Sequence, residues 1–304
     1  MDPFLVSAHG RPAPVARAGM RVRARLAGAS LCAVLACAGG GAAAAAGKVL
    51  ESQQRYAPTA AQLALVEQYR GAPLEDFSEA VFDAGKTDMP YRLLAPARPV
   101  AGERYPLVVF FHSSGGIGDD NLKPMTAFTR LWAAPDVRRS FPAYVVVPQM
   151  RDRSANYIND THGLRVSQPG APLADVLALV DELMRRHPID PARVYALGFS
   201  MGASAAMDAA VARPGLFAAM VALSGVPPER SLARSVAHVP TLLIHGDYDQ
   251  ENAYVGAQVW AEELAAAGGR PRFITYVGMD HRVPPQLFTD GAWRQWLFEQ
   301  RKPR

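Results

Sequence analysis

Three side chains stand at the ends of apolar runs in an order that suits acyl transfer: a serine, an aspartate and a histidine. Ser200 lies in "GFSMG", between Gly198 and Gly202, where "RVYALGF" (193–199) gives way to the alanine-rich "SMGASAAMDAAVA" (200–212). A serine hydroxyl is a poor nucleophile until a base takes its proton and a donor stabilises the oxyanion that forms. A tight strand-to-helix turn with a glycine on each side lifts the hydroxyl above a sheet, and the N–H of Met201 then points toward a developing oxyanion. The plain alternative is that Ser200 only caps the helix.

A base and a group to orient it are present downstream. "LLIHGDYDQ" ends an apolar run and offers Asp247 and Asp249, and "ITYVGMDHRVP" ends the last run and offers His281. Asp247 directly follows Gly246, where an aspartate closes a turn by accepting from nearby backbone N–H groups. Asp249 lies two residues further on, placed to reach a histidine from the neighbouring run; its structural alternative is to cap a helix beginning near Ala253. For His281 the alternative is an ordinary loop histidine. His112 and His245 also lie at run ends and are expected to order their loops, and His187 to partner the C-terminus of a helix.

A second oxyanion donor belongs on the loop after the first central run. "VVFFHSSGGIGDDN" (108–121) supplies it, with the backbone N–H of Ser114 opposite that of Met201. The loop has no G-x-x-x-x-G-K-[ST] and no helix-opening G-x-G-x-x-G, so nucleotide binding finds no support. Asp119 and Asp120 read as a solvated turn, since no histidine or further carboxylate stands near enough for a metal site.

The elements that must hold these residues alternate strand and helix, the pattern of a mostly parallel sheet. "LVVFF" (107–111), "AYVVVP" (143–148), "RVYALGF" (193–199), "AAMVALSG" (218–225), "TLLIHG" (241–246) and "RFITYV" (272–277) read as strands, and "FSEAVFDA" (77–84) and "PYRLLAP" (90–96) as an antiparallel start. Helical spacing marks 172–187, 200–212, 252–268 and 291–300. The expectation is an α/β fold with an eight-stranded, mostly parallel sheet and helices on both faces. Residues 226–239 leave no room for a large cap domain.

The beginning of the chain differs in kind. "MRVRARLAGASLCAVLACAGGGAAAAA" has three arginines, an apolar stretch and then small residues, the pattern of a secretory signal. Residues 1–46 are therefore expected to be a signal peptide and leader, 47–75 an N-terminal extension and 76–304 the catalytic domain, with Met20 an alternative start. The protein is expected to be secreted or periplasmic, with no stable membrane span. "VLAC" (34–37) loosely resembles a lipoprotein box, which offers lipidation of Cys37 instead. The whole net charge of +4 lies in the leader, so the remainder gives no general basic surface for nucleic acid. Both cysteines, Cys32 and Cys37, also lie there, so neither a disulfide nor a thiol nucleophile is expected afterwards.

From about Asp76 to about Trp296 the chain resembles the α/β-hydrolase superfamily, particularly its phospholipase/carboxylesterase, dienelactone-hydrolase-like and predicted-peptidase members. "HSSGGIGDDN" is similar to their "HGxGxxGxDN" with Ser113 in place of a glycine, and "IDPARVYALGFSMGA" (189–203) to "IDPxRVYxxGxSMGG" with Ala203 in place of the last one. "HGDYD" matches "HGxxD" and selects Asp249, and "GMDH" falls on the histidine turn. The resemblance implies a serine esterase with Ser200, Asp249 and His281 as its triad, Ser114 and Met201 as its oxyanion hole, a small-molecule or polymeric ester as substrate and no cofactor. A peptidase of the same fold, and a catalytically silent binding protein on a hydrolase scaffold, are the other readings.

Overall fold

The strands at the centre of the molecule are apolar at nearly every position, because helices cover the sheet on both faces and leave no face for water. The computed structural model describes residues 47–83, 85 and 88–303. Residues 1–46, expected to be a leader, and with them Cys32 and Cys37, lie outside them. In chain order the strands are β1 (Leu50–Arg55), β2 (Phe77–Asp83), β3 (Asp88–Leu94), β4 (Tyr105–Phe111), β5 (Tyr144–Pro148), β6 (Ala155–Asn159), β7 (Arg165–Pro169), β8 (Ile189–Phe199), β9 (Ala219–Leu223), β10 (Thr241–Gly246) and β11 (Arg272–Val277). The helices are α1 (Ala60–Arg70), α2 (Ala127–Arg130), α3 (Pro135–Ser140), α4 (Leu173–Arg186), α5 (Met201–Ala212), α6 (Ala233–Val236), α7 (Tyr254–Ala266), α8 (Gln286–Thr289) and α9 (Ala292–Glu299).

The main sheet runs β1-β11-β10-β9-β8-β4-β5-β3-β2, with the β2–β3 and β3–β5 pairs antiparallel and every other pair parallel, so β3 alone runs against the rest. It has nine strands where eight were expected. The ninth is β1, which comes from the segment expected to be an extension and adds to the edge of the sheet beside β11. Its sequence, "LESQQR", is polar and almost wholly exposed, so no apolar pattern marks it. Helix α1 follows, opened by Thr59 and Gln62 in a reciprocal capping box.

Two apolar layers sandwich the sheet. One packs α4, α5, α6 and α7 through residues such as Leu179, Leu183, Met207, Val236, Trp260 and Leu264. The other packs α2, α3, α8 and α9 through Phe128, Val137, Phe288, Trp293 and Leu297, with Leu65 and Tyr69 of α1 against it. Helix α5 is buried at every position from Met201 to Ala210, which explains its alanine content: only small side chains let it approach the sheet so closely. The hairpin β6–β7, also unexpected from the sequence, lies against this helix. Tyr157 Oη stands 3.3 Å from Ser204 Oγ, and Ser167 Oγ donates to Asp208 Oδ1 at 2.9 Å. Burial pushes Asp208 up to about 7, against the lowering effect of the Ser167 bond. No described helix is long and apolar enough to cross a membrane.

Candidate active site

Strand β8 ends and α5 begins at Ser200, whose φ of 58° and ψ of −126° are rare for a residue with a side chain. Such a conformation costs about 1–3 kcal/mol and persists only where its surroundings enforce it. The enforcing contacts are on both sides. The Ser200 N–H donates to Leu223 O of β9 at 2.9 Å, and its carbonyl accepts from Ala203 and Ser204 in the first turn of α5. A Cβ on Gly198 would stand 2.3 Å from the Gly202 backbone, and one on Gly202 would stand 2.0 Å from Phe111 O. The two glycines of "GFSMG" are therefore required by the close passage of α5 over β8 and β4.

The turn delivers the Ser200 hydroxyl to His281. Ser200 Oγ and His281 Nε2 are 2.8 Å apart, and His281 Nδ1 is 2.8 Å from Asp249 Oδ2. With a carboxylate at Nδ1, that nitrogen carries the proton and Nε2 is free to accept the serine's. The histidine ring lies against Phe199, centroids 4.9 Å apart, and its side chain is only 9% exposed. Three residues far apart in the chain thus meet at the carboxyl ends of β8, β10 and β11.

Asp249 divides its two oxygens between two tasks. Oδ1 accepts the N–H groups of Glu251 and Asn252, both at 2.9 Å, and so fixes its own loop. It caps this turn and not α7, which starts at Tyr254 after Ala253. Oδ2 faces His281. Burial alone would raise the Asp249 pKa, but the bonds from His245, His281 and the Asn252 N–H outweigh it and hold the carboxyl well below the usual carboxylate range. Asp247 is exposed and accepts the N–H of Gly278 at 2.7 Å, tying the aspartate loop to the histidine loop.

A family model described as phospholipase/carboxylesterase matches residues 171–291, which include Ser200, Asp249 and His281. A crystal structure of a thermostable esterase superposes with a TM-score of 0.68 and 27% identity over 75% of this chain. The chain has the α/β-hydrolase fold, a mostly parallel sheet with helices on both faces. The protein named "Putative esterase NocK" from Nocardia uniformis subsp. tsuyamanensis is 29% identical over 71% of the chain. The chain spans 62% of that relative's length and 64% of the thermostable esterase's. An acylaminoacyl peptidase, bound to a chloromethyl ketone, shares the fold at 18% identity and a TM-score of 0.54, covering 75% of this chain and 42% of its own.

Within this fold the two departures from the family pattern are accommodated locally. Ser113 has φ −68° and ψ 171°, extended backbone that needs no glycine. The Ala203 methyl faces Gly225, where an added Cβ would come within 2.7 Å of it, so the space between the two positions holds one methyl. Ser114 opens a short 3-10 turn ending at Gly116. The N–H groups of Ser114 and Met201 have no acceptor among the described residues. His112 holds this turn from behind. Its Nε2 accepts the Met150 N–H at 3.0 Å, so Nδ1 carries the proton and donates to Ser113 O at 2.7 Å. Burial, opposed by that bond, lowers His112 to about 4 and keeps it neutral in this role.

Two further residues stand at the site that the sequence reading did not place there. His245, expected only to order its loop, is buried with Nε2 at 2.9 Å from Asn252 O and 3.1 Å from Asp249 Oδ2. Both neighbours are acceptors, so Nε2 carries a proton and shares it between them. Glu251 is exposed and brings Oε2 within 3.7 Å of His281 Nε2. Asp119 and Asp120 remain at the surface, engaged by Arg151 and by the Leu122 and Lys123 N–H groups. Among the described residues no group of His, Cys, Asp or Glu could hold a metal ion.

Proposed function

We propose that the chain is a serine hydrolase that cleaves carboxylic esters through an acyl-enzyme intermediate. The observation that carries this reading is the unbroken relay from Ser200 Oγ through the His281 ring to Asp249 Oδ2, with both contacts at 2.8 Å. Ser200 Oγ attacks the ester carbonyl carbon while His281 Nε2 takes its proton. The oxyanion of the tetrahedral intermediate accepts from the N–H groups of Ser114 and Met201. As the intermediate collapses, His281 returns the proton to the leaving oxygen and the alcohol departs. Water then repeats the sequence on the acyl-enzyme, releasing the acid and restoring Ser200. Asp249 holds the imidazole in the tautomer that accepts at Nε2 and stabilises the imidazolium.

An ester as substrate is supported by the names of two relatives above 25% identity, both esterases. Assays of the purified protein on aryl esters and on aminoacyl-anilides are expected to give ester turnover and no detectable anilide turnover. Comparable turnover of the anilides would support a peptidase instead. A protein inert to both would point to a binding role on a hydrolase scaffold.

This reading also has the protein exported, on the strength of the arginine-led apolar leader. N-terminal sequencing of periplasmic or secreted material is expected to start near Gly47, or at a lipidated Cys37. An intact leader on cytosolic protein would contradict it.

A further inference from the structure

Beside the candidate nucleophile lies a cavity of about 30 Å³. Its wall includes Phe199, which precedes Ser200; Ser113, which precedes Ser114; and Val283, two residues beyond His281. Phe110 and Phe128, buried and packed edge to face at 5.5 Å, complete its apolar side. A water-sized body needs about 10–15 Å³ by this measure, so the cavity takes two or three heavy atoms. Pockets for drug-sized ligands are roughly 300–1,000 Å³.

An ester bound at Ser200 has two groups to place. The leaving oxygen must reach His281 Nε2, whose neighbours are Ser200 Oγ and the exposed carboxylate of Glu251. Glu251 meets water there, which offers the alcohol a way out along that side. The acyl group turns the other way, past the ring of Phe199, into the small cavity. Its lining is mixed, with His112, Ser113, Thr126 and Lys123 alongside the apolar Phe110, Phe128, Phe199 and Val283, and Phe110 and Phe128 are locked in the layer that also holds Phe288 and Trp293. A close-packed layer of this kind does not open cheaply for a longer chain.

We propose that this cavity receives the acyl group and restricts the enzyme to esters of short acids, acetyl and propionyl above all, with Val283 as a wall that sets the limit. The proposal rests on the esterase reading. It is tested by kcat/KM on p-nitrophenyl esters from acetate to octanoate, beside acetate esters of increasingly bulky alcohols. The wild-type protein is expected to favour acetate over octanoate by about 100-fold or more, since a misfitting methylene is worth roughly 10–200-fold. The alcohol series should change little. Val283 is only partly buried, so its variants are expected to fold, and melting temperatures check this. Val283→Ala should raise butyrate relative to acetate by about tenfold, and Val283→Phe should suppress propionate relative to acetate by a similar factor. Octanoate turned over as well as acetate, a size limit that follows the alcohol, or Val283 variants that scale all esters equally would each overturn the proposal. Ester turnover without length dependence defeats it alone, whereas no turnover of any ester defeats the esterase reading with it.

Discussion

Ser200→Ala is expected to lower ester turnover by about 10⁴- to 10⁶-fold, the loss seen when a triad nucleophile is removed. The fold should survive. Among the described residues the Ser200 hydroxyl bonds only to His281, while the backbone bonds that hold the turn, to Leu223 and from Ala203 and Ser204, do not involve the side chain. Ser200→Gly separates the two roles of this position. It should be equally inactive yet melt above the alanine variant, because φ 58° strains any residue with a Cβ and not glycine. Circular dichroism melts and steady-state rates on the three proteins check both statements. An alanine variant keeping more than a tenth of the activity would remove Ser200 from the mechanism.

The second large effect separates the two aspartates of "HGDYD". Asp249→Asn is expected to cut turnover by up to about 10⁴-fold through loss of the correct His281 tautomer. The variant keeps an oxygen for the N–H groups of Glu251 and Asn252 but presents an NH₂ group to His281. Asp247→Asn should keep most activity and lose modest stability, since among the described residues its carboxylate binds only the exposed Gly278 N–H at the junction of two loops. His245 acts on the same carboxylate from the other side. Its loss in His245→Leu should lower turnover up to about tenfold, on the scale of a hydrogen bond to a charged group, and His245→Gln, which restores an N–H, should recover much of it. The ionised form of Asp249 is favoured in the fold, so its contribution to stability is complete above the unfolded carboxyl value near 3.9 and is lost as the pH falls below it. Asp249→Asn should flatten that acid limb of stability. Activity lost at Asp247 and kept at Asp249 would reverse the assignment.

The central strands, the elbow at Ser200 and the order of serine, aspartate and histidine were legible because each depends on a short local pattern. Apolar runs such as "TLLIHG", short and closed by turn residues, read as buried strands, and "GFSMG" needs its glycines for the close passage of α5. Strand β1 was not legible: a polar edge strand is stabilised by backbone pairing with β11, which leaves no mark on its side chains. The hairpin β6–β7 was hidden for a related reason. Its strands alternate only weakly, and its place is set by contacts to Ser204 and Asp208 more than 40 positions away. The link between His245 and Asp249 could have been suspected from their spacing of four in "HGDYD", but the turn that folds one back on the other depends on Asn252. The cavity beside Phe199 joins residues from four separate segments, and no local pattern announces it.

The central claim, that Ser200 is the activated nucleophile, is tested most directly by mass spectrometry after reaction with a fluorophosphonate probe. One adduct on the folded wild-type protein, placed on the peptide containing Ser200 and absent from Ser200→Ala, is the expected result. An adduct on another residue, undiminished labelling of the alanine variant, or no adduct on the folded protein would contradict it.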